Sequence, residues 1–449
     1  MARELVMPPS PAPTGAPTTP APPVRSRWRN LGAITGVAVV DNTEAGLVNA
    51  LFPAIAESLR LHSGHLGVLA AVAKLVSAPF GPAWVWLAGR IGRKAAMIAI
   101  TVAGGVFGGL AGFTDSFAAL LVCSTLMSVC LVGGGPIANA IIADAFDDRT
   151  RGIATGYFYG AIVAASSVAG PLLALLTTAD AGWRYGMVLV GVLCVVAAVV
   201  IAVFYDDPGI GASEAQVADL GERERSVPVT WHGVAALFRI RSFAVMLCSR
   251  LLSGHLLVGI FGIQFLVTER GFSNATAAVV LVPLGTGYVV GTVGGGHLVA
   301  RLDRVWPYMG RVAYIQTAQV GFAASAFLGT QIVHGSVVAY GCFWALLGLF
   351  QGMNPPVNRP IVASVVLPEM RGQAFAIFLS VFETIGWAMF ALGAGWLGTH
   401  LGLEEAFLYI LVLLMLANAV LLTALYVTYP RDASGVTREL ERRRAAARP

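Results

Sequence analysis

Charge is scarce in this sequence. Of its 449 residues only 12% are Asp, Glu, Lys or Arg, half of the roughly 25% carried by a soluble domain. A deficit of that size, sustained over the whole length, excludes an ordinary water-soluble globule. Cysteine is scarce too. Cys123, Cys130, Cys194, Cys248 and Cys342 are odd in number, lie inside apolar runs and have no metal-ligand spacing. They read as buried apolar residues, not as disulfides or metal ligands. No P-loop, catalytic triad or metal cluster is present, which argues against an enzyme and against ATP-driven work by this chain, and implies no cofactor. The start shows no signal-peptide pattern. Residues 1–27 form an arm rich in Pro, Ala and Thr that reads as disordered.

Apolar residues make up 57% of the chain, with 52 glycines and a mean hydropathy of +0.75. A bilayer-spanning helix needs about 20 apolar residues. Twelve runs qualify: 31–55, 64–88, 95–113, 117–142, 153–177, 185–205, 242–266, 275–300, 312–330, 336–366, 373–398 and 406–428. The one long interruption, 206–241, carries charge, proline and a short amphipathic pattern in its TWHGVAALF stretch. It divides an all-α membrane protein into two six-helix bundles, 28–205 and 242–428, followed by a basic tail, 429–449.

Placement of the basic residues sets an orientation. Assigning alternate loops to alternate sides puts 23 of the 29 Lys and Arg on one side, with Arg60, Arg184 and Arg270 on the other and Lys74, Arg250 and Arg359 within spans. By the positive-inside rule both termini face the cytoplasm. The net charge of +5 therefore reflects membrane topology, and its partner is the lipid bilayer and not nucleic acid.

The halves read as repeats. Pro136 and the Arg151–Gly152 pair recur 220 residues later as Pro356 and Arg371–Gly372, and Ala154 and Phe158 recur as Ala374 and Phe378. Internal repeats of this kind place a substrate site at their interface near the membrane midplane.

The loop between spans two and three, LAGRIGRK at 87–94, resembles the signature of the major facilitator superfamily, a tight basic turn of the form Gly-x-x-x-Asp-Arg-x-Gly-Arg-Lys. Arg90, Gly92, Arg93 and Lys94 match it; Val85 and Gly89 replace its Gly and Asp. A relic stands in the second half at Asp303–Arg304 and Gly310–Arg311. The Trp183–Arg184–Tyr185 stretch and the SVAGP run at 167–171 are similar to family features, and the likeness covers 28–428. It implies twelve helices in two pseudo-symmetric bundles and alternating access. It also implies that the absent Asp removes a lock on the outward-facing state, with Arg90 left to pair with Asp144.

Within the spans, ionisable residues are costly, on the order of 2.5–3.5 kcal/mol each on insertion scales, so each needs a reason. Asp41 and Glu44, beside Asn42, share a helix face three residues apart. Lys74 lies midway through span two. Either Lys74 permanently neutralises Glu44 as a structural lock, or the carboxylates carry protons or touch substrate. Second-half counterparts are Arg250, His255 and Gln264 in span seven, and Glu383 with Trp387 in span eleven. Span ten holds Asn354, Asn358 and Arg359 around two prolines that break its backbone ladder; Asn139 follows the matching weak point, Gly133–Pro136, in span four.

These residues predict a secondary transporter of the cell membrane that moves a small amphiphilic or charged organic molecule, with protons as the coupling ion and a monomer as the working unit. Efflux of a drug-, lysophospholipid- or metabolite-like molecule, for instance by antiport, is the first expectation. Uptake of an organic anion or nutrient is the second, and a non-transporting sensor or scaffold on the same fold is the third.

Overall fold

The computed structural model describes residues 24, 26–174, 182–217 and 229–447; within them the side chains of 44–46, 49, 50, 63, 64, 170, 171, 173 and 174 are not described. The arm expected at 1–27 lies almost wholly outside the described residues.

No strand occurs among the described residues. The first half runs Arg27–Leu59, Ser63–Ser77 with Phe80–Ile91, Arg93–Ala111, Phe117–Leu131 with Gly134–Ala145, Asp148–Ala174 and Gly182–Phe204. The second runs Arg241–Leu251 with Leu256–Thr268, Asn274–Val305, Met309–Thr330, Val337–Gly352 with Pro355–Ser364, Pro368–His400 and Leu403–Ala447. These are twelve spans in two sets of six. Among the described residues nine helical stretches, ten counting the bent second span, are long and apolar enough to cross a membrane. The first and ninth spans complete the set and are lowered in mean hydropathy by polar residues, Asp41 and Asn42 in one and Arg311, Gln316 and Gln319 in the other.

Four spans are interrupted where the sequence forces it. Pro79 sits at the 43° break in span two. Span four breaks at Val132 and Gly133, span seven around Ser253 and Gly254, and span ten at Met353 and Asn354, just before Pro355 and Pro356. Span eleven stays continuous but widens to a π-turn over Ile377–Phe382. Such features often mark functional sites. Here Lys74, Arg250 and Glu383 stand beside three of them.

In lipid the hydrophobic effect does not drive helices together, so packing rests on close contact between small residues. Span five shows this at the seam between the halves, against spans ten and eight. A Cβ on Gly152 would lie 2.8 Å from the Pro356 carbonyl oxygen, and one on Gly296 would lie 2.7 Å from the Gly152 carbonyl oxygen. The pseudo-symmetric seam joins spans two and eleven, where Gly81 faces Ser380 and Gly372 faces Val85. One core cluster crosses the divide, placing Ala140 and Ala143 of span four among Val357, Ile361, Phe375 and Phe378. Lipid receives the outer faces: Leu189, Val192, Val196, Val199 and Val203 of span six are all exposed.

The connection between the halves is more than a tether. It starts at Asp206, whose carboxylate pairs with Arg29 and whose backbone carbonyl accepts from Asn30. Its Val217 packs with Leu440 of the final helix, and Arg443 of that helix bonds Glu369 at 3.0 Å. Both described ends of the chain therefore lie on the linker side. A short helix, Trp231–Leu237, leads into span seven.

Candidate functional site

Two charged assemblies join the halves. The first lies on the side of loop 87–94. Fully buried Asp144, at the end of span four, accepts from Arg93 at 2.7 Å, from Arg371 at 2.9 Å and from the Gly211 backbone N–H at 3.1 Å. Arg371 opens span eleven, so this carboxylate bonds across the halves. Arg371 also pairs with Glu214 of the linker, and Arg151 reaches the same Glu214 oxygen at 3.2 Å. The repeat is visible in the hydrogen bonds. Arg151 donates to the Ala143 carbonyl at 2.7 Å, and Arg371, 220 residues on, donates to the Ala363 carbonyl at 3.0 Å.

Arg311 is the second-half counterpart of Arg93. It bonds Asp303 at 2.7 Å, Asp148 of the first half at 2.7 Å and the Tyr429 hydroxyl at 2.8 Å. The resemblance implied that Arg90 pairs with Asp144. The structure gives that place to Arg93, because Arg90 lies exposed over the Trp86 ring, 4.0 Å from its centroid. Gly92 turns the loop at φ +89°, a conformation suited to glycine. Gly89 faces open space. Arg304 is exposed and Lys94 half-buried.

The second assembly adjoins a cavity of about 460 Å³ that lies mainly in the first bundle, lined by Asp41, Asn42, Lys74, Phe158 and Tyr159 among others, with Trp387 contributed by the second half. One turn before Trp387, Glu383 pairs with Arg250 across spans eleven and seven. Lys74 and Arg359 are within electrostatic reach of the same carboxylate, as are His255 and Tyr288. Arg359 donates to Asn358 at 2.6 Å and lies over the Tyr159 ring, 4.5 Å from its centroid. The Tyr159 hydroxyl accepts from Asn139 at 2.9 Å. A polar chain thus runs from span four through span five to spans ten, eleven and seven. Among the described residues, the Nε atoms of Arg250 and Arg359 and the Nδ1 of His255 are buried with no hydrogen-bond partner.

Several sequence candidates fall elsewhere. Glu383, set beside Trp387 by the sequence, is paired with Arg250 of span seven. Lys74, expected opposite Glu44, faces Glu383 across the halves, and the Glu44 side chain lies outside the described residues. Asn354 does not reach the cavity. Its Oδ1 accepts from Gln319 at 2.7 Å, and Gln319 in turn accepts from Asn418 at 3.3 Å, a buried ladder inside the second bundle. Gln264 is exposed and does not line the cavity. Asp41 packs against span four, where a Cβ on Gly134 would come 3.4 Å from its Oδ2. Sequence reasoning missed Tyr159, Tyr288, Glu214 and Asp148; the repeat at Arg151 and Arg371 was the signal that led toward the last two.

Comparison with known proteins places this geometry. A probable 4-methylmuconolactone transporter of Cupriavidus pinatubonensis is 29% identical over 148 residues, a match spanning 32% of this chain and 35% of that relative. The structure of the human organic anion transporter TETRAN superposes with a TM-score of 0.66 at 17% identity, covering 88% of this chain and 99% of that one. The fucose:proton symporter of E. coli gives a TM-score of 0.66 at 13% identity, with 91% and 99% covered. At those identities the two structures establish the fold alone. The sequence model of the Major Facilitator Superfamily matches residues 34–344, more than half of the chain, and this multi-pass membrane protein belongs to that superfamily.

Proposed function

We propose that the chain is a secondary transporter that moves a small organic solute by alternating access, coupled to protons. The observation that carries the reading is the combination of a cavity in the first bundle that reaches the second at Trp387 with an ion-paired closure that joins the halves. Asp144, Glu214 and Asp148 each bond a guanidinium across or between the bundles, and such pairs have two discrete arrangements, made or broken. Opening this side requires Arg371 to leave Asp144 and Glu214 together, which gives the closure the all-or-none character of a gate. The cavity is closed toward the linker, and by the distribution of Lys and Arg that side is the cytoplasm. This conformation is then the outward-facing one, in a cell membrane, with both termini inside.

Glu383 is the candidate proton carrier. It is a carboxylate within a span, it stands one turn from Trp387 and within electrostatic reach of Lys74, both of which line the cavity, and it follows a π-turn. The relatives named above are transporters, one of them a proton symporter, in keeping with this. Export of an amphiphile and uptake of an organic anion would both pass through the same cavity.

The test is flux in proteoliposomes of purified protein, with a pH-sensitive dye inside. Solute added outside should move protons at a rate that saturates with solute concentration, and Glu383→Gln should abolish the proton movement. Vesicles in which no solute of a broad panel changes the internal pH, with protein shown to be folded, would sink the reading in favour of a non-transporting scaffold.

A further inference from the structure

Given the transport reading above, the charges around the cavity point to a class of cargo. Around Glu383 stand three cations, Lys74 from span two, Arg250 from span seven and Arg359 from span ten, with Tyr288 and His255 completing the shell. Among the described residues one carboxylate answers three positive charges. Arg250 and Arg359 are each 6% exposed, and each keeps an Nε donor with no acceptor among the described residues, as some gate arginines also do. The excess of positive charge sets this cluster apart. Buried cations that outnumber their anions are costly, so the arrangement favours a further anion. The cavity reaches the cluster through Lys74 and Tyr159, which line it, and through Trp387, one helical turn beyond Glu383. Phe158 adds a further aromatic face to its wall. Tyr159 covers Arg359 and so stands between that cation and the cavity. Asp41 also lines the cavity, from span one, and disfavours an anion at its own position.

We propose that the cavity binds a small organic anion with an apolar or aromatic body, and that its carboxylate displaces Glu383 from Lys74 and the two arginines. The displaced Glu383 then takes up a proton. The balance is simple: one carboxylate arrives with charge −1, one proton arrives with charge +1, and no bond of the cargo is made or broken. The net charge of the buried cluster is the same before and after. A low-dielectric site resists any change in its net charge, so this conservation ties one proton to one anion and makes the cycle electroneutral.

The test uses purified full-length protein and three bodies of matched shape: benzoate, its neutral amide benzamide and the cation benzylamine, with phenylacetate as a longer acid. Binding is read by thermal stabilisation and by equilibrium titration from pH 5 to pH 8. The acids should bind, more tightly as pH falls, and benzamide and benzylamine should not. In Glu383→Gln, which is neutral and nearly isosteric, benzoate should bind about tenfold more tightly than in the wild type at pH 8, with a flat pH profile. Half-buried Lys74→Gln should lose that binding while keeping the wild-type unfolding temperature. Electrical recording on a supported membrane should show no net charge movement during benzoate-driven proton flux. Equal binding of acid and amide, no binding of either acid, or an unchanged pH profile in Glu383→Gln would each overturn the proposal. Failure of the parent reading looks different: acids bind as described, yet no solute moves protons into vesicles. Conversely, proton-linked flux driven by benzylamine or benzamide alone would leave transport standing and remove the anion.

Discussion

The two assemblies that join the halves differ in how completely their charges are answered. On the linker side, Arg93, Arg151, Arg311 and Arg371 meet Asp144, Asp148, Asp303 and Glu214, and backbone carbonyls take up further donors. At the cavity, Lys74, Arg250 and Arg359 share Glu383, one carboxylate to three cations among the described residues. Single guanidinium nitrogens lack a partner in both assemblies, Arg93 Nη1, Arg151 Nε and Arg311 Nε in the first and Arg250 Nε and Arg359 Nε in the second, so the difference lies in the balance of charge. A gate benefits from that balance, since the closed state must be a deep and specific minimum that opens as a unit. A binding site benefits from an imbalance, because cations without a matching anion have charge left to offer a ligand. The contrast therefore divides closing from binding between two regions of one interface.

Substitutions at the charge-balanced assembly should therefore shift conformation and leave binding intact. Arg371→Ala has the largest expected effect. It leaves buried Asp144 and Glu214 each short of a cation, and removal of one partner of a buried pair costs about 3–5 kcal/mol. Spin labels at exposed Ile91 and Trp306, one on each half of this face, should report a longer distance in the variant. An unchanged distance distribution would mean that Arg371 contributes nothing to closure. Glu214→Gln keeps the linker in place but removes the charge shared by Arg151 and Arg371. Loss of a charge-assisted bond of this kind costs about 1.5–3 kcal/mol, so the same labels should show a partial shift, smaller than that of Arg371→Ala. If Glu214→Gln opened the face further than Arg371→Ala, the linker carboxylate rather than Asp144 would be the principal tie.

Gln319→Leu provides a comparison inside one bundle. It cuts the ladder from Asn354 through Gln319 to Asn418. Interhelical hydrogen bonds in membranes are worth about 0.6 kcal/mol on average and up to about 1.7. Thermal unfolding in detergent should fall slightly, with no change in the distance between labels on the two halves. A change in that distance would show that the ladder is part of the moving interface.

The fold was legible because its signals are long. A run of 20 apolar residues and a bias of basic residues survive any local uncertainty, and Arg151–Gly152 with Arg371–Gly372 marked the repeat directly. The sites were legible in part. Sequence singled out Lys74, Arg250, Arg359 and Glu383 because charge in a span is expensive, and the structure brings all four together. It set Glu44 opposite Lys74 because spacing along one chain speaks for contacts within a bundle; the Glu44 side chain lies outside the described residues, and Lys74 stands within electrostatic reach of Glu383 across the divide between bundles. Asn354 looked like a cavity residue because it adjoins the prolines of span ten. Its direction depended on Gln319, an amide in the ninth span with no periodic signal of its own. Tyr159 was invisible for a different reason. An aromatic residue in an apolar helix is ordinary packing until Asn139 and Arg359 are seen on either side of it.

The smallest expected effect sharpens the comparison most, because it asks whether the two halves of the gate are equivalent. In the second half Asp303 precedes the turn and bonds Arg311 at 2.7 Å. The first half has Gly89 at the corresponding place, and Arg93 bonds Asp144 instead. Space is available for a side chain at Gly89, where a Cβ would meet nothing within 4 Å. Gly89→Asp would add a carboxylate beside Arg93, as Asp303 stands beside Arg311. The site is exposed, so the added pair is worth about 0.2–1 kcal/mol. The closed state should gain by that amount, seen as a modest narrowing of the Ile91–Trp306 distance distribution and a slower conversion to the form open toward the linker. A widening would show that the new carboxylate draws Arg93 away from Asp144, so that the gate depends on Arg93 keeping a single partner, unlike Arg311, which holds two.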